Sequence, residues 1–214
     1  MSIPLDTLLV LLILTNFVLL GSSRLSACIR IGALQGILVG FLPLAVSGAG
    51  LTLRIACISA VIIALKGFMF PYLLSRALRE SDTSREVQPF VGYAASLFVG
   101  VLSILAAFWL DSKLKFSIQP ASDLLVPVAF ILIMTGLFLI VARRTAVNQV
   151  IGYLVLENGI YTFGITIVRD IPVIIELGVL MDMFVAVFVM GIAIYRINRE
   201  FDHIDSDRLN TLKG

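Results

Sequence analysis

The sequence predicts an all-α, polytopic integral membrane protein with about seven transmembrane helices. Hydrophobic residues fill 59% of its 214 positions and charged residues only 14%, against about 25% charged in a soluble domain. Mean hydropathy is +1.05. Apolar runs of the roughly 20 residues needed to cross a hydrocarbon core recur along the whole chain. None alternates with the period of two, over about ten residues, that a transmembrane β-strand requires.

Taken in order, the expected spans are 3–21, 28–47, 52–75, 90–110, 124–142, 149–168 and 173–195. The first has an acid, Asp6, no basic segment ahead of it and no small-residue cleavage site behind it. It reads as a retained helix and not as a removed signal peptide. It closes at Gly21-Ser22-Ser23-Arg24. The second ends at Ser47-Gly48-Ala49-Gly50, a break so short that the second and third spans should be antiparallel neighbours. Pro71 predicts a kink in the third span and Pro127 one in the fifth. Polar stretches from Arg79 to Gln88 and from Asp111 to Pro120 bound the fourth. Arg143-Arg144 separates the fifth from the sixth, and Arg169-Asp170-Ile171-Pro172 the sixth from the seventh. Within the sixth, Asn158-Gly159 breaks good helix propensity and marks a close helix approach or a distortion that admits water.

Basic residues orient the spans, because Lys and Arg accumulate on the cytoplasmic side. With the N-terminus outside, Arg24, Arg30, Arg76, Arg79, Arg85, Arg143, Arg144 and four residues of the tail lie inside. Arg54, Lys113, Lys115 and Arg169 lie outside. Eleven against four predicts an external N-terminus and a cytoplasmic tail, 196–214. No stretch outside the membrane is long enough to bury a core. The chain has no glycine-rich phosphate loop, no cysteine cluster for iron–sulfur ligation, and one histidine, His203, too few for haem held by paired histidines. The net charge of +2 gives no footing for a nucleic-acid partner. Cys28 and Cys57 are too few for a disulfide framework and are expected to be buried thiols. Function must therefore lie in the helices.

Three ionisable residues, Lys66, Glu157 and Asp182, sit near the middle of apolar spans. Each charge costs on the order of 2.5–3.5 kcal/mol at a bilayer centre, and such residues usually face a protein interior or a wet path. Glu157 has Tyr153 and Tyr161 at i−4 and i+4 on the same face, where their hydroxyls can meet the carboxyl. Burial disfavours an ionised carboxyl, so Glu157 can exchange a proton when a neighbouring charge changes. Lys66 suits a proton carrier or the counter-ion of an acid, with Glu157 or Asp182 as its partner. Glu176 lies nearer the outer end of the seventh span and reaches toward interfacial water. Arg30 and Arg54, at helix starts, read as interfacial anchors, and Asn16 and Gln35 as uncharged interhelical glue.

Arg143-Arg144, then Ile151-Gly152, then a helix with Glu157-Asn158, resembles the three-helix K subunit of complex I and its relative, the Mrp antiporter C subunit. The following acid, Asp182, and the tail run Ile204-Asp205-Ser206 are similar too. A closer resemblance is to hydrogenase 4 component E. It is carried by Leu65-Lys66 with Pro71-Tyr72-Leu73, Gly152-Tyr153 through Glu157-Asn158-Gly159, Glu176-Leu177-Gly178 with Asp182, and Leu209 to Gly214. Together these cover most of the chain from about Ser59 onward. One departure is clear: the K-subunit acid aligns with Leu154, three residues before Glu157. That shift is about 4.5 Å along a helix and roughly 60° around it.

The resemblance implies a four-helix extension over 1–123, a K-like module over 124–195 and the tail over 196–214. It implies a non-catalytic subunit in the membrane arm of a hydrogenase 4 or formate-hydrogenlyase-type complex, in the inner (plasma) membrane. Antiporter-like and quinone-module-like membrane subunits, and peripheral hydrogenase and iron–sulfur subunits, are the implied partners. The nickel–iron (NiFe) centre and iron–sulfur clusters would sit on those partners, with no cofactor or metal on this chain. Glu157, Asp182 and Lys66 would then serve proton or sodium movement coupled to redox chemistry, supported by Glu176, Tyr153, Tyr161 and Asn158. Two alternatives are an Mrp-type cation/proton antiporter subunit and a structural scaffold of the membrane arm.

Overall fold

The computed structural model describes residues 5–47, 52–80, 89–114 and 121–167, together with Gly178. Every regular element among the described residues is helical: α1 (Leu5–Gly21), α2 (Leu25–Ser47), α3 (Leu53–Ile62), a π-helical stretch (Ile63–Met69), α4 (Phe70–Glu80), α5 (Tyr93–Lys113), α6 (Leu125–Ala142) and α7 (Ala146–Ile167). Among the described residues four helices, Leu25–Ser47, Leu53–Arg79, Tyr93–Lys113 and Leu125–Ala142, are long and apolar enough to cross a membrane, and α1 is a shorter apolar helix. The chain is an all-helical polytopic membrane protein. Apart from Gly178, the expected seventh span, 173–195, with Glu176 and Asp182, and the tail lie outside the described residues.

Helix ends depart from expectation where polar residues turn out to be helical. α2 starts at Leu25 and α7 at Ala146, ahead of the expected 28 and 149. The Arg24 carbonyl accepts from the amides of Ala27 and Cys28, and the Thr145 carbonyl from that of Gln149, so polar residues form the opening turns. At the start of α3, Thr52 Oγ1 accepts from the Ile55 amide at 3.4 Å. α4 runs on to Glu80 because its end is amphipathic, with Leu74 and Ala77 buried and Arg76 and Arg79 turned out.

Glycines set the closest approaches. α2 and the third span run antiparallel, as the short break predicts: a Cβ on Gly40 would strike Ile63, and one on Gly36 would strike Lys66. α6 and α7 form a second antiparallel pair. A Cβ on Gly136 would overlap the Leu156 backbone, one on Gly152 would press on Leu139 and Ile140, and one on Gly159 on Ala129 and Ile133. Without a hydrophobic drive between helices in lipid, such backbone proximity is what holds them together. α1 packs on α2, α5 and α6, and α2 on α1, the third span and α7. The shared core includes Leu9, Leu12, Val39, Leu42, Leu132 and Val155.

Two expectations about single residues need correction. Pro127 lies in the first turn of α6, where a proline's missing N–H has no helical partner to lose, so it does not interrupt the helix. Cys28 is buried as expected, but Cys57 is exposed. It shares a face of α3 with Arg54 and Val61 that turns away from the other described helices.

Candidate functional site

Lys66 stands at the centre of the π-helical stretch, five residues before Pro71. In that stretch the Phe70 amide donates five residues back, to the Leu65 carbonyl. Pro71 has no N–H to return to Lys66 or Gly67, so the wider turn ends where the ladder is already broken. A π turn inserts one residue per turn and often marks a functional position. Here it lies just ahead of the proline at which the sequence predicts a kink. Gly36 of α2 lies against the backbone and Cβ of Lys66, and Gly67 against Ile37, which brings α2 flat onto this turn.

Across from it, α7 carries Glu157 and Asn158. Gly159 faces α6, two residues beyond Glu157 and about 200° round the helix, so the Glu157 side is turned away from α6. Lys66 Nζ donates to Glu157 Oε1 at 2.7 Å and to Asn158 Oδ1 at 2.9 Å. This ion pair joins residues 91 apart in the chain, 6% and 2% exposed. The ammonium also lies 5.9 Å from the centroid of the Tyr161 ring. Among the described residues, Glu157 Oε2 and the Tyr161 hydroxyl have no hydrogen-bond partner. Tyr161 therefore contributes its ring face to Lys66 rather than its hydroxyl to Glu157. The ammonium stands on the carboxylate's Oε1 and covers the ring.

The polar contacts continue beyond the pair. Asn158 Nδ2 donates to Gln35 Oε1 at 3.4 Å, and Gln35 Nε2 donates to Thr15 Oγ1 and Asn16 Oδ1, both at 3.2 Å. The Thr15 hydroxyl donates to the Leu12 carbonyl at 2.7 Å. Gln35 is 0% exposed. One buried chain thus links α1, α2, the third span and α7. Thr162 closes onto the Asn158 carbonyl at 2.7 Å.

Of the residues singled out in the sequence, the structure brings together Lys66, Glu157, Asn158 and Tyr161. Tyr153, half-buried, packs against the core, while Asp182 and Glu176 fall outside the described residues. Arg30 and Arg54 are exposed, as anchors would be. Gln35 and Asn16 were legible only as glue, and Thr15 not at all. The usable signal was depth, since all three lie well inside their apolar spans, as Lys66 and Glu157 do. Arg143, which the sequence places in the break between the fifth and sixth spans, is 1% exposed, with Nη2 donating to the Leu20 carbonyl at 2.7 Å and its guanidinium 4.5 Å from the Tyr93 ring. It ties the ends of α1 and α6 to the start of α5. No group of three or more His, Cys, Asp or Glu able to hold a metal ion occurs among the described residues.

Comparison with known proteins gives a consistent set of likenesses. Residues 124–214 match the family model described as NADH-ubiquinone/plastoquinone oxidoreductase chain 4L. The uncharacterized protein Rv0085 of Mycobacterium tuberculosis is 30% identical over 204 residues, 94% of this chain and 92% of that one. Hydrogenase-4 component E of Escherichia coli K12 is 26% identical over 156 residues, 73% of this chain and 72% of that one, and the component E of Shigella flexneri matches equally. No solved structure matches.

Proposed function

The chain belongs to the group of complex I-related membrane subunits that includes hydrogenase-4 component E, and from that premise we propose that its buried charges couple redox chemistry to ion movement. In this reading it is a membrane-arm subunit of a hydrogenase 4 or formate-hydrogenlyase-type complex in the inner membrane, and the ion is a proton or sodium. The observation that carries it is the Lys66–Glu157 pair. Two charges are held in contact inside apolar helices, and Glu157 Oε2 keeps an acceptor without a partner among the described residues. A pair of this kind has two states, ionic and neutral, separated by the transfer of one proton. A change in hydration or packing at a partner subunit shifts the balance between them. Asp182 and Glu176 would extend the path beyond Glu157.

The partners in this reading are antiporter-like and quinone-module-like membrane subunits, with peripheral hydrogenase and iron–sulfur subunits carrying the metals. The basic residues favour an external N-terminus and a cytoplasmic tail. A scaffold is the second reading, supported by the way the pair and its amides fasten α1, α2, the third span and α7 into one unit.

The two separate in vesicles carrying the assembled complex with Glu157→Gln, and with Lys66→Met/Glu157→Gln so that no charge is left buried alone. Coupling predicts intact assembly and hydrogen chemistry with proton movement lost in both variants. Full proton movement in the double variant would leave only the scaffold.

A further inference from the structure

We propose that Gln35 is a positioning residue that reads the charge on Lys66 and passes it to α1 as the orientation of a side-chain amide. This deepens the coupling role proposed for Lys66 and Glu157 and rests on that role for its purpose, though not for its chemistry.

An ammonium has donors and no acceptor. Lys66 therefore holds the Asn158 amide with Oδ1 toward Nζ, and the same amide must turn Nδ2 away, onto Gln35 Oε1. Gln35 must then present Nε2 to α1, where Thr15 Oγ1 and Asn16 Oδ1 accept it. Thr15 donates onward to the Leu12 carbonyl. Every donor in the chain points away from the ammonium, across three helix boundaries.

A carboxamide is nearly symmetric in shape. A half-turn of Asn158, Gln35 and Asn16 reverses the arrows without moving a helix. The reversed chain needs an acceptor at Lys66 for Asn158 Nδ2, which a neutral amine supplies and an ammonium cannot. At its other end the reversal brings Asn16 Nδ2, buried and without a partner among the described residues, onto the Gln35 oxygen. Each direction satisfies the buried amides to a similar degree, so the proton on Lys66 decides between them. Amides do not carry protons along such a chain. What travels is orientation, and Gln35 is the link between the helix pair that holds the charge and the helix that receives the signal.

The test is infrared spectroscopy of the full chain in lipid nanodiscs, with the side-chain amide carbonyl bands assigned through Gln35→Leu and Asn158→Leu. Removing the pair as Lys66→Met/Glu157→Gln should shift the Asn158 and Gln35 bands together. With Asn158→Leu added, the Gln35 band should cease to respond. Gln35→Leu, which leaves the ion pair in place, should broaden the Asn158 band as its amide loses a fixed orientation. A Gln35 band indifferent to Lys66, a response that survives loss of Asn158, or an unbroadened Asn158 band overturns the proposal. None of these readings needs proton movement. A responsive Gln35 band in a chain whose Glu157→Gln complex still moves protons would uphold the relay and remove the coupling role alone.

Discussion

Lys66 and Glu157 were individually legible because a charge in the middle of an apolar run has few uses, but their partnership was not. Asp182 was an equal claimant on Lys66, and contact between residues 91 apart depends on which helices are neighbours. The pair's energetics follow from its burial. Removing one member leaves the other charge uncompensated, at a cost of roughly 3–5 kcal/mol, whereas removing both is often near neutral. Thermal unfolding of the detergent-solubilised chain should therefore show Lys66→Met and Glu157→Gln each destabilising by about that much. The double variant should recover most of the loss. Simple additivity of the two losses would mean that the pair does not form. Arg143 teaches the complementary lesson. Its guanidinium is buried because the Leu20 carbonyl, at the end of α1, and the Tyr93 ring meet it there, and neither partner is near it in sequence.

At the scale of elements, apolar length and turn signals located the described helices to within a few residues, since both are local properties. Most of the misjudged ends are those where polar residues serve as opening turns or as the outer face of an amphipathic end, whereas α5, expected over 90–110, runs from Tyr93 to Lys113. The π turn was not legible: Pro71 announces that the ladder must break, but it does not say that the turn ahead of it widens. Glycines divide in the same way. Gly136 and Gly32 look alike in the sequence, yet a Cβ on Gly136 would overlap the Leu156 backbone, while one on Gly32 would meet nothing closer than Ile151 Cγ2 at 4.0 Å. Gly136→Ala should destabilise by about 1–3 kcal/mol as α6 and α7 are forced apart. Gly32→Ala should stabilise by about 0.5–1 kcal/mol through its better helix propensity. Thermal midpoints of the two variants check this, and equal midpoints would mean that α6 and α7 do not touch at Gly136.

For the whole molecule, the α6–α7 pair and the helices before it act as one body because contacts cross between them both mid-helix, at Lys66, Gln35, Glu157 and Asn158, and at the helix ends, at Leu20 and Arg143. Lys66 belongs to the third span and Glu157 to α7, so the ion pair exists only when both parts are folded together. Gln35 extends the same dependence to α1 and α2. How that body sits in a membrane follows from charge. Helix packing alone is indifferent to which end faces the cytoplasm, whereas insertion retains Lys and Arg on that side. The basic residues at the end where α1 closes and α2 opens, where α4 closes, and between α6 and α7 all fall at one end of the bundle. Arg143, bonded to the Leu20 carbonyl and stacked on Tyr93, joins three helix termini there. That end, and the tail with it, is expected in the cytoplasm. A green fluorescent protein fused after Gly214 should therefore fluoresce, and an alkaline phosphatase at the same place should be inactive. An active phosphatase would invert the molecule, placing Arg24, Arg76, Arg79 and Arg143 on the outer side against the charge rule.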